Sequence, residues 1–357
     1  MEASSEAARL PVRASTWDRV SSFLGEYGLI AVLLLMPVAF GIHDLVQDGS
    51  LTRLGNNLVA GLSNGAIWAL IALGYTLVYG IIELINFAHG EVFMIGSLVT
   101  AAWFWGVVGL TEQTAILGLL LGLLASLIIA MLISGSLNVM IERVAYRPLR
   151  SAPKLAPLIT AVGMSFILQN VGILWIGGSQ EGVPQLVDPQ KDLFEIAGVV
   201  VNQGDVLSIG VTIPLVLILT SFITQSRMGR AMRATAQDPE AARLMGINVD
   251  TTISLTFLLG GLMAGAAGLI YALYNLVVQF NQGFTAGLIA FTSAVMGGIG
   301  NLKGAVVGGL IIGIVQQIVE NRLENGSAWA PAVVFAILVL VMVFRPQGLF
   351  GEETREG

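Results

Sequence analysis

The chain has no cysteine, which removes disulfide staples, thiolate nucleophiles and cysteine-held metals from consideration. Histidine is nearly as scarce: His43 and His89 are the two copies, far apart and without the spacing of a zinc hydrolase. Charge is the third shortage. Only 11% of the 357 residues are charged, against 55% hydrophobic, where a water-soluble domain carries roughly a quarter. A phosphate-binding loop is missing as well, because GGIGNLKG at 297–304 lacks the Gly-Lys-Ser/Thr ending. Basic residues gather in two short segments beside apolar runs, which orientation in a membrane explains without any nucleic acid. The expectation is a chain that holds no metal and no cofactor, and binds neither ATP nor nucleic acid itself.

What is present is apolar length. Segments free of charge and histidine run over 58–82, 92–111, 113–141, 155–180, 206–226 and 325–344, each near or above the roughly 20 residues that cross a hydrocarbon layer. The stretch 251–302 is long enough for two crossings joined by the polar NLVVQFNQG at 275–283, and 27–42 and 304–319 are shorter runs. These lengths predict an all-α polytopic membrane protein of about nine to ten transmembrane helices, some broken or re-entrant.

Arg143, Arg147, Arg150 and Lys154 share one loop and Arg227, Arg230, Arg233 and Arg243 another, whereas Lys191 is the one basic residue of 181–205. Basic loops stay on the cytoplasmic side. The 181–205 loop therefore faces out and the carboxyl end lies inside. Residues 1–50 read as an amino-terminal extension with an extra span at 27–42. Preceded by Arg9, Arg13 and Arg19, that span is a signal anchor or a cleaved signal peptide; Glu2 and Glu6 in its flank favour the anchor. Residues 54–351 form the main transmembrane domain, with a cytoplasmic loop at 226–250, and 352–357 are a cytoplasmic tail.

GLSNG at 61–65 has the spacing of a nucleophile elbow, but that motif needs a strand before it and here it sits inside a helical run. A membrane hydrolase using Ser63 and His89 is thus a remote alternative. Small residues at this spacing let membrane helices approach closely, and Gly261/Gly265, Gly304/Gly308 and Gly309/Gly313 repeat the pattern.

The loop 226–250 carries helix signals of its own. Asp238 suits a cap, Pro239 the first helical position, Glu240 the positive dipole end and Gly246 the left-handed stop. A short helix over 239–245 follows, with Arg243 on its surface, Leu244 and Met245 seeking a partner, and Arg227, Arg230 and Arg233 on a basic face before it. That pattern fits docking of a soluble protein.

EAARLMG at 240–246 resembles the EAA-x-x-x-G loop of bacterial ABC importer permeases, the loop that docks on the ATP-hydrolysing subunit. LINFAHGEVFMIGS at 84–97, MGGIGNLKGAVVGG at 296–309 and FRPQGLFG at 344–351 resemble segments of the branched-chain amino acid permease subunits. The four places stand in family order. The resemblance implies an ABC importer permease architecture in a bacterial plasma (inner) membrane, not an enzyme. It implies two cytoplasmic ATPase subunits that use ATP, a second permease subunit, related or identical, and an extracytoplasmic substrate-binding protein. It assigns ATPase docking to Arg230, Arg233, Glu240, Ala241, Ala242, Arg243 and Gly246.

ELINFAHGE at 83–91 places ionisable groups where hydrocarbon makes them costly, so their default reading is functional. If the stretch is helical, Glu83, Asn86 and Gly90 share a face, and Gly90 permits a break. Asn86, His89 and Glu91 are candidates for the translocation path or its gate, although Glu83 and Glu91 fit a membrane boundary equally well. Asn64 and Tyr75, Gln169 and Asn170, and Gln279 and Asn281 are further polar candidates, each of which suits helix-to-helix hydrogen bonding too. The function expected is ATP-driven import of branched-chain or related amino acids by alternating access. A passive channel for a small neutral solute such as urea or an amide is the alternative.

Overall fold

Backbone polar groups in hydrocarbon must pair within their own segment, so the charge-free runs become helices. The computed structural model describes residues 16–351 apart from Glu112, Ser151 and Lys154. Lys154 of the first basic loop, Arg9 and Arg13 before the first span, and the 352–357 tail thus lie outside the described residues.

The chain opens with α1 (Thr16–Gln47), α2 (Thr52–Ile82) and α3 (His89–Ser97), which continues through a π-helical stretch (Leu98–Phe104) into α4 (Trp105–Val108). Next come α5 (Ile116–Ile141), π and 3-10 turns over 142–149, and α6 (Leu155–Ile176). Three short strands, β1 (Glu181–Gly182), β2 (Asp192–Ile196) and β3 (Val199–Asn202), precede α7 (Gln203–Gln225), α8 (Arg227–Gln237) and α9 (Pro239–Leu244). The chain closes with α10 (Val249–Asn275), β4 (Val277–Val278), α11 (Gln282–Gly297), α12 (Leu302–Arg322) and α13 (Gly326–Phe344).

Among the described residues, eight helical stretches are long and apolar enough to cross a bilayer: α2, α3 through α4, α5 with its following turns, α6, α7, α10, α12 and α13. The protein is an all-α polytopic membrane protein. The apolar part of α1 described as Leu33–Gln47 is shorter, and α11 has 16 residues, about 24 Å at 1.5 Å per residue.

Helices α2 and α10 fill the centre, and α5, α6, α7 and α13 surround them with exposed Leu, Ile and Val. Lipid is as apolar as leucine, so close backbone approach has to hold the centre together. The small-residue pairs do this. A Cβ on Gly65 of α2 would lie 2.7 Å from the Leu310 Cα, and one on Gly313 of α12 would lie 2.3 Å from the Gly65 Cα. Gly261 and Gly265 of α10 press likewise on Ser134 and Ala130 of α5, and Gly304 and Gly308 of α12 on Gly297 and Ser293 of α11. The Ser63 hydroxyl donates to the Val59 carbonyl at 3.0 Å within its own helix; it serves packing.

Two small antiparallel sheets form where sequence patterning shows only a polar loop: β2 with β3, and β1 with β4. The β2–β3 turn places Ala197 and Gly198 at φ 54° and 84°, the paired left-handed conformation that suits strand twist. Helix α1 is bolted to α12 by a buried fork: Arg322 donates to the two Asp44 carboxylate oxygens at 2.6 and 2.5 Å, and its guanidinium stands 5.6 Å over the Phe40 ring.

Candidate functional site

The 83–91 stretch is not one helix. α2 ends at Ile82, Glu83 turns left-handed at φ 51° while its N–H still donates to the Tyr79 carbonyl at 2.8 Å, and helix resumes only at His89. The break therefore precedes Gly90, and Glu83, Asn86 and Gly90 do not share a helical face. Gly90 has another task. A Cβ there would sit 2.2 Å from the Gly283 carbonyl of α11, so glycine lets the starts of α3 and α11 touch backbone to backbone.

Asn86, in the link, is 1% exposed. Its amide donates to the Asn138 side chain at 3.1 Å, Asn138 donates to the Phe257 carbonyl at 2.6 Å, and the Tyr146 hydroxyl donates to the Asn86 side-chain oxygen at 3.2 Å. Asn86 thus fixes the broken segment to α5, α10 and the turn after α5. Such a closed network specifies one conformation of a link that has no ladder of its own.

His89 is fully buried. Its N–H donates to the Asn86 carbonyl at 2.9 Å, its ring stands edge-on to Tyr75 with centroids 4.9 Å apart, and a Cβ on Gly74 would fall 2.1 Å from Nε2. Neither ring nitrogen has a hydrogen-bond partner among the described residues; the Ile71 carbonyl faces the ring outside that geometry.

Glu91 is fully buried as well. Its Oε1 accepts from the Gln169 amide at 2.9 Å and the Ser165 hydroxyl at 3.1 Å, while Oε2 has no partner among the described residues. A Cβ on Gly283 would lie 2.3 Å from that Oε2. Ser165 and Gln169 stand near the middle of α6, which sets Glu91 at mid-helix depth rather than at a membrane edge. The Glu91 carboxyl lies in the first turn of α3, beside the start of α11, where the positive ends of two helices favour its charged form. One Glu91 oxygen thus keeps its capacity to accept a further hydrogen bond, and the two His89 ring nitrogens keep theirs.

The other sequence candidates divide. Gln169 joins the site through Glu91. Asn64 donates instead to Gln317 at 2.7 Å, in an α2–α12 polar ladder where Trp68 donates to Gln316 at 2.9 Å. Asn170 is exposed and donates to the Phe166 carbonyl of its own helix at 2.8 Å. The Gln279 N–H donates to the Gln282 side chain at 2.9 Å, and Asn281 is exposed at the start of α11. Ser165, Asn138 and Tyr146 were not singled out from the sequence. Ser165 and Gln169 are four apart, so a shared face on α6 was the available signal.

The second element is α8 with α9. Ser226 caps α8 by accepting from the Gly229 N–H at 2.8 Å. Asp238 caps α9 by accepting from the Glu240 and Ala241 N–H groups at 2.8 and 2.9 Å, and Gly246 takes φ 83° just after the helix. Ala242 is buried, whereas Glu240, Ala241, Arg243 and Gly246 are exposed, as are Leu244 at 88% and Met245 at 83%. Arg230 donates to the Gln225 carbonyl at 3.1 Å, and Arg233 turns back to the Ile223 and Thr224 carbonyls. Next to α9, Asp250 accepts from Arg147 and Arg150 at 2.5 and 2.6 Å, and Arg150 also pairs with the buried Glu142. The first basic loop is thereby tied to the start of α10.

No solved structure matches this chain. The high-affinity branched-chain amino acid transport system permease protein BraD of Pseudomonas aeruginosa is 40% identical over 299 residues, covering 82% of this chain and 94% of the relative. LivH, the permease protein of the same description in Escherichia coli, is 42% identical over 296 residues, covering 82% and 93%. LivH of Salmonella typhimurium is 42% identical over 294 residues with the same shares. The family described as branched-chain amino acid transport system / permease component matches residues 57–342, and the chain belongs to that family of membrane permease subunits.

Proposed function

We propose that this subunit forms the path by which branched-chain or closely related amino acids are imported across a bacterial inner membrane at the cost of ATP. Two cytoplasmic ATPase subunits hydrolyse the nucleotide, an extracytoplasmic binding protein delivers the solute, and a second permease, related or identical, completes the pore. The names of the relatives support the substrate class. The observation that carries the reading is α9, a capped helix too short to cross anything, which presents Leu244 and Met245 to the outside of the bundle. A passive channel has no need of such a lever, and the comparisons give that alternative no support.

The basic loops and the carboxyl end face the cytoplasm in this reading. In its support, the Leu349 N–H donates to the Met296 carbonyl at 2.8 Å, so the chain end after α13 meets the end of α11 near the cavity that α8 lines. Arg230, Glu240, Ala241, Arg243, Leu244 and Met245 dock the ATPase; Ala242 anchors α9 to the bundle and Gly246 ends it. At the path, the free Glu91 oxygen meets the substrate ammonium, and the starts of α3 and α11 meet its carboxylate. Asn86 and His89 hold the break in one of two positions. ATP-driven closure of the ATPases shifts α9, and the shift passes through Asp250 and the Arg147–Arg150 turn to α5 and α10, opening the buried site alternately to each side.

The direct test is co-purification with the ATPase. Leu244→Asp with Met245→Asp removes the apolar tip, and recovery of ATPase is expected to fall about ten-fold or more while the permease stays inserted. Undiminished recovery counts against the docking role.

A further inference from the structure

A cavity of about 740 Å³ lies beside α8 and belongs to neither site described above. α2, packed against both α7 and α12, lines it together with Arg233 of α8 and Lys303 of α12, both exposed. Among the described residues, no carboxylate lines it. Lys303 makes no ion pair among the described residues, and Arg233 spends two donors on the end of α7 and keeps others to spare.

Thr76 is 1% exposed and its hydroxyl has no partner among the described residues, although it lines the cavity. Thr220 and Thr224 add hydroxyls, and Leu77, Ile81, Ile223 and Ile299 supply apolar wall. Two uncompensated cations beside the buried Thr76 hydroxyl suit an anion with several acceptor oxygens. The apolar wall beneath them suits a ligand whose remainder is hydrocarbon, since a free hydrated anion gains nothing from it. Basic pockets between helices at a cytoplasmic membrane edge are places where anionic lipid headgroups bind.

We propose that this cavity binds a phosphate-bearing anion, supplied as the headgroup of an anionic phospholipid, through Arg233, Lys303 and Thr76. The ligand touches α8, so occupancy stiffens the segment that leads into α9. The cytoplasmic placement rests on the proposed orientation, whereas binding itself is measured apart from transport.

The experiment is native mass spectrometry of the purified full-length permease, delipidated in detergent and titrated with dioleoyl phosphatidylglycerol, dioleoyl phosphatidylcholine or inorganic phosphate. Wild type is expected to retain phosphatidylglycerol over phosphatidylcholine. Lys303→Gln and Arg233→Gln each lower that retention about five-fold, whereas Arg227→Gln, outside the cavity, leaves it unchanged. Lys303 is exposed, so its variant keeps the fold and remains a valid test if Arg233→Gln misfolds. Binding of inorganic phosphate with the same dependence on Lys303, without retention of phosphatidylglycerol, keeps the phosphate site and overturns the lipid source. Equal retention of both lipids, or phosphatidylglycerol retention and phosphate binding both unchanged in Lys303→Gln, overturns the proposal.

Discussion

Glu91 on α3 and Gln169 on α6 meet at 2.9 Å, amide to carboxylate, inside the helix bundle, and the second carboxylate oxygen has no partner among the described residues. A buried acid with spare acceptor capacity is expensive unless something pairs with it during the working cycle. Glu91→Gln preserves the shape and removes the charge. Uptake of labelled leucine by the assembled transporter is expected to drop about ten-fold or more, the range of a lost hydrogen bond to a charged group, with the complex still intact on gel filtration.

His89 is fixed by packing against Gly74, whose absent side chain leaves room for Nε2. Gly74→Ala forces the imidazole or α2 to shift, at about 1 to 3 kcal/mol for overpacking. A lower melting temperature with weaker substrate-stimulated ATP hydrolysis is expected. His89→Ala added to Gly74→Ala relieves that crowding, so the double variant should regain part of the lost melting temperature; unchanged stimulation in His89→Ala alone removes His89 from the gate.

The Asp44–Arg322 fork joins α1 to α12 with side chains 0% and 3% exposed. Arg322→Met leaves a buried carboxylate without its partner, a loss of about 3 to 5 kcal/mol in unfolding titrations. Adding Asp44→Leu should restore most of that stability, because an apolar pair needs no counter-charge.

Asp238 holds the first turn of α9 through two N–H groups. Asp238→Ala should weaken that helix by about 1 kcal/mol. The bundle should melt normally, and the loss should appear as fewer substrate molecules imported per ATP hydrolysed.

Much of this was legible from the chain alone, for local reasons. The capped α9 could be read because Asp238, Pro239 and Gly246 act on their own neighbours, and the spans because hydrocarbon thickness sets a length. The site was legible in part. Asn86, His89, Glu91 and Gln169 stood out as polar groups in apolar runs; the structure pairs Glu91 with Gln169, ties Asn86 to Asn138 and Tyr146, and sets His89 against Tyr75. Ser165 and Tyr146 did not, since their meaning comes from Glu91 and Asn86 on other helices. Asn170 adjoins Gln169 in sequence, but successive helical residues point about 100° apart, and its side chain turns away from Glu91. The break at 83–88 was expected at Gly90; the left-handed turn falls instead on Glu83, a residue type with no such preference, while Gly90 is spent on contact with α11. The β2–β3 hairpin escaped notice because Asp192–Ile196 lacks strict alternation.

Vesicles holding the permease with its ATPases and loaded binding protein decide the matter most directly. Labelled leucine should accumulate only when ATP is supplied on the side that bears α9, and vesicles with the permease alone should stay tight. Downhill leucine flux through the permease alone, at a rate indifferent to ATP, would contradict the account.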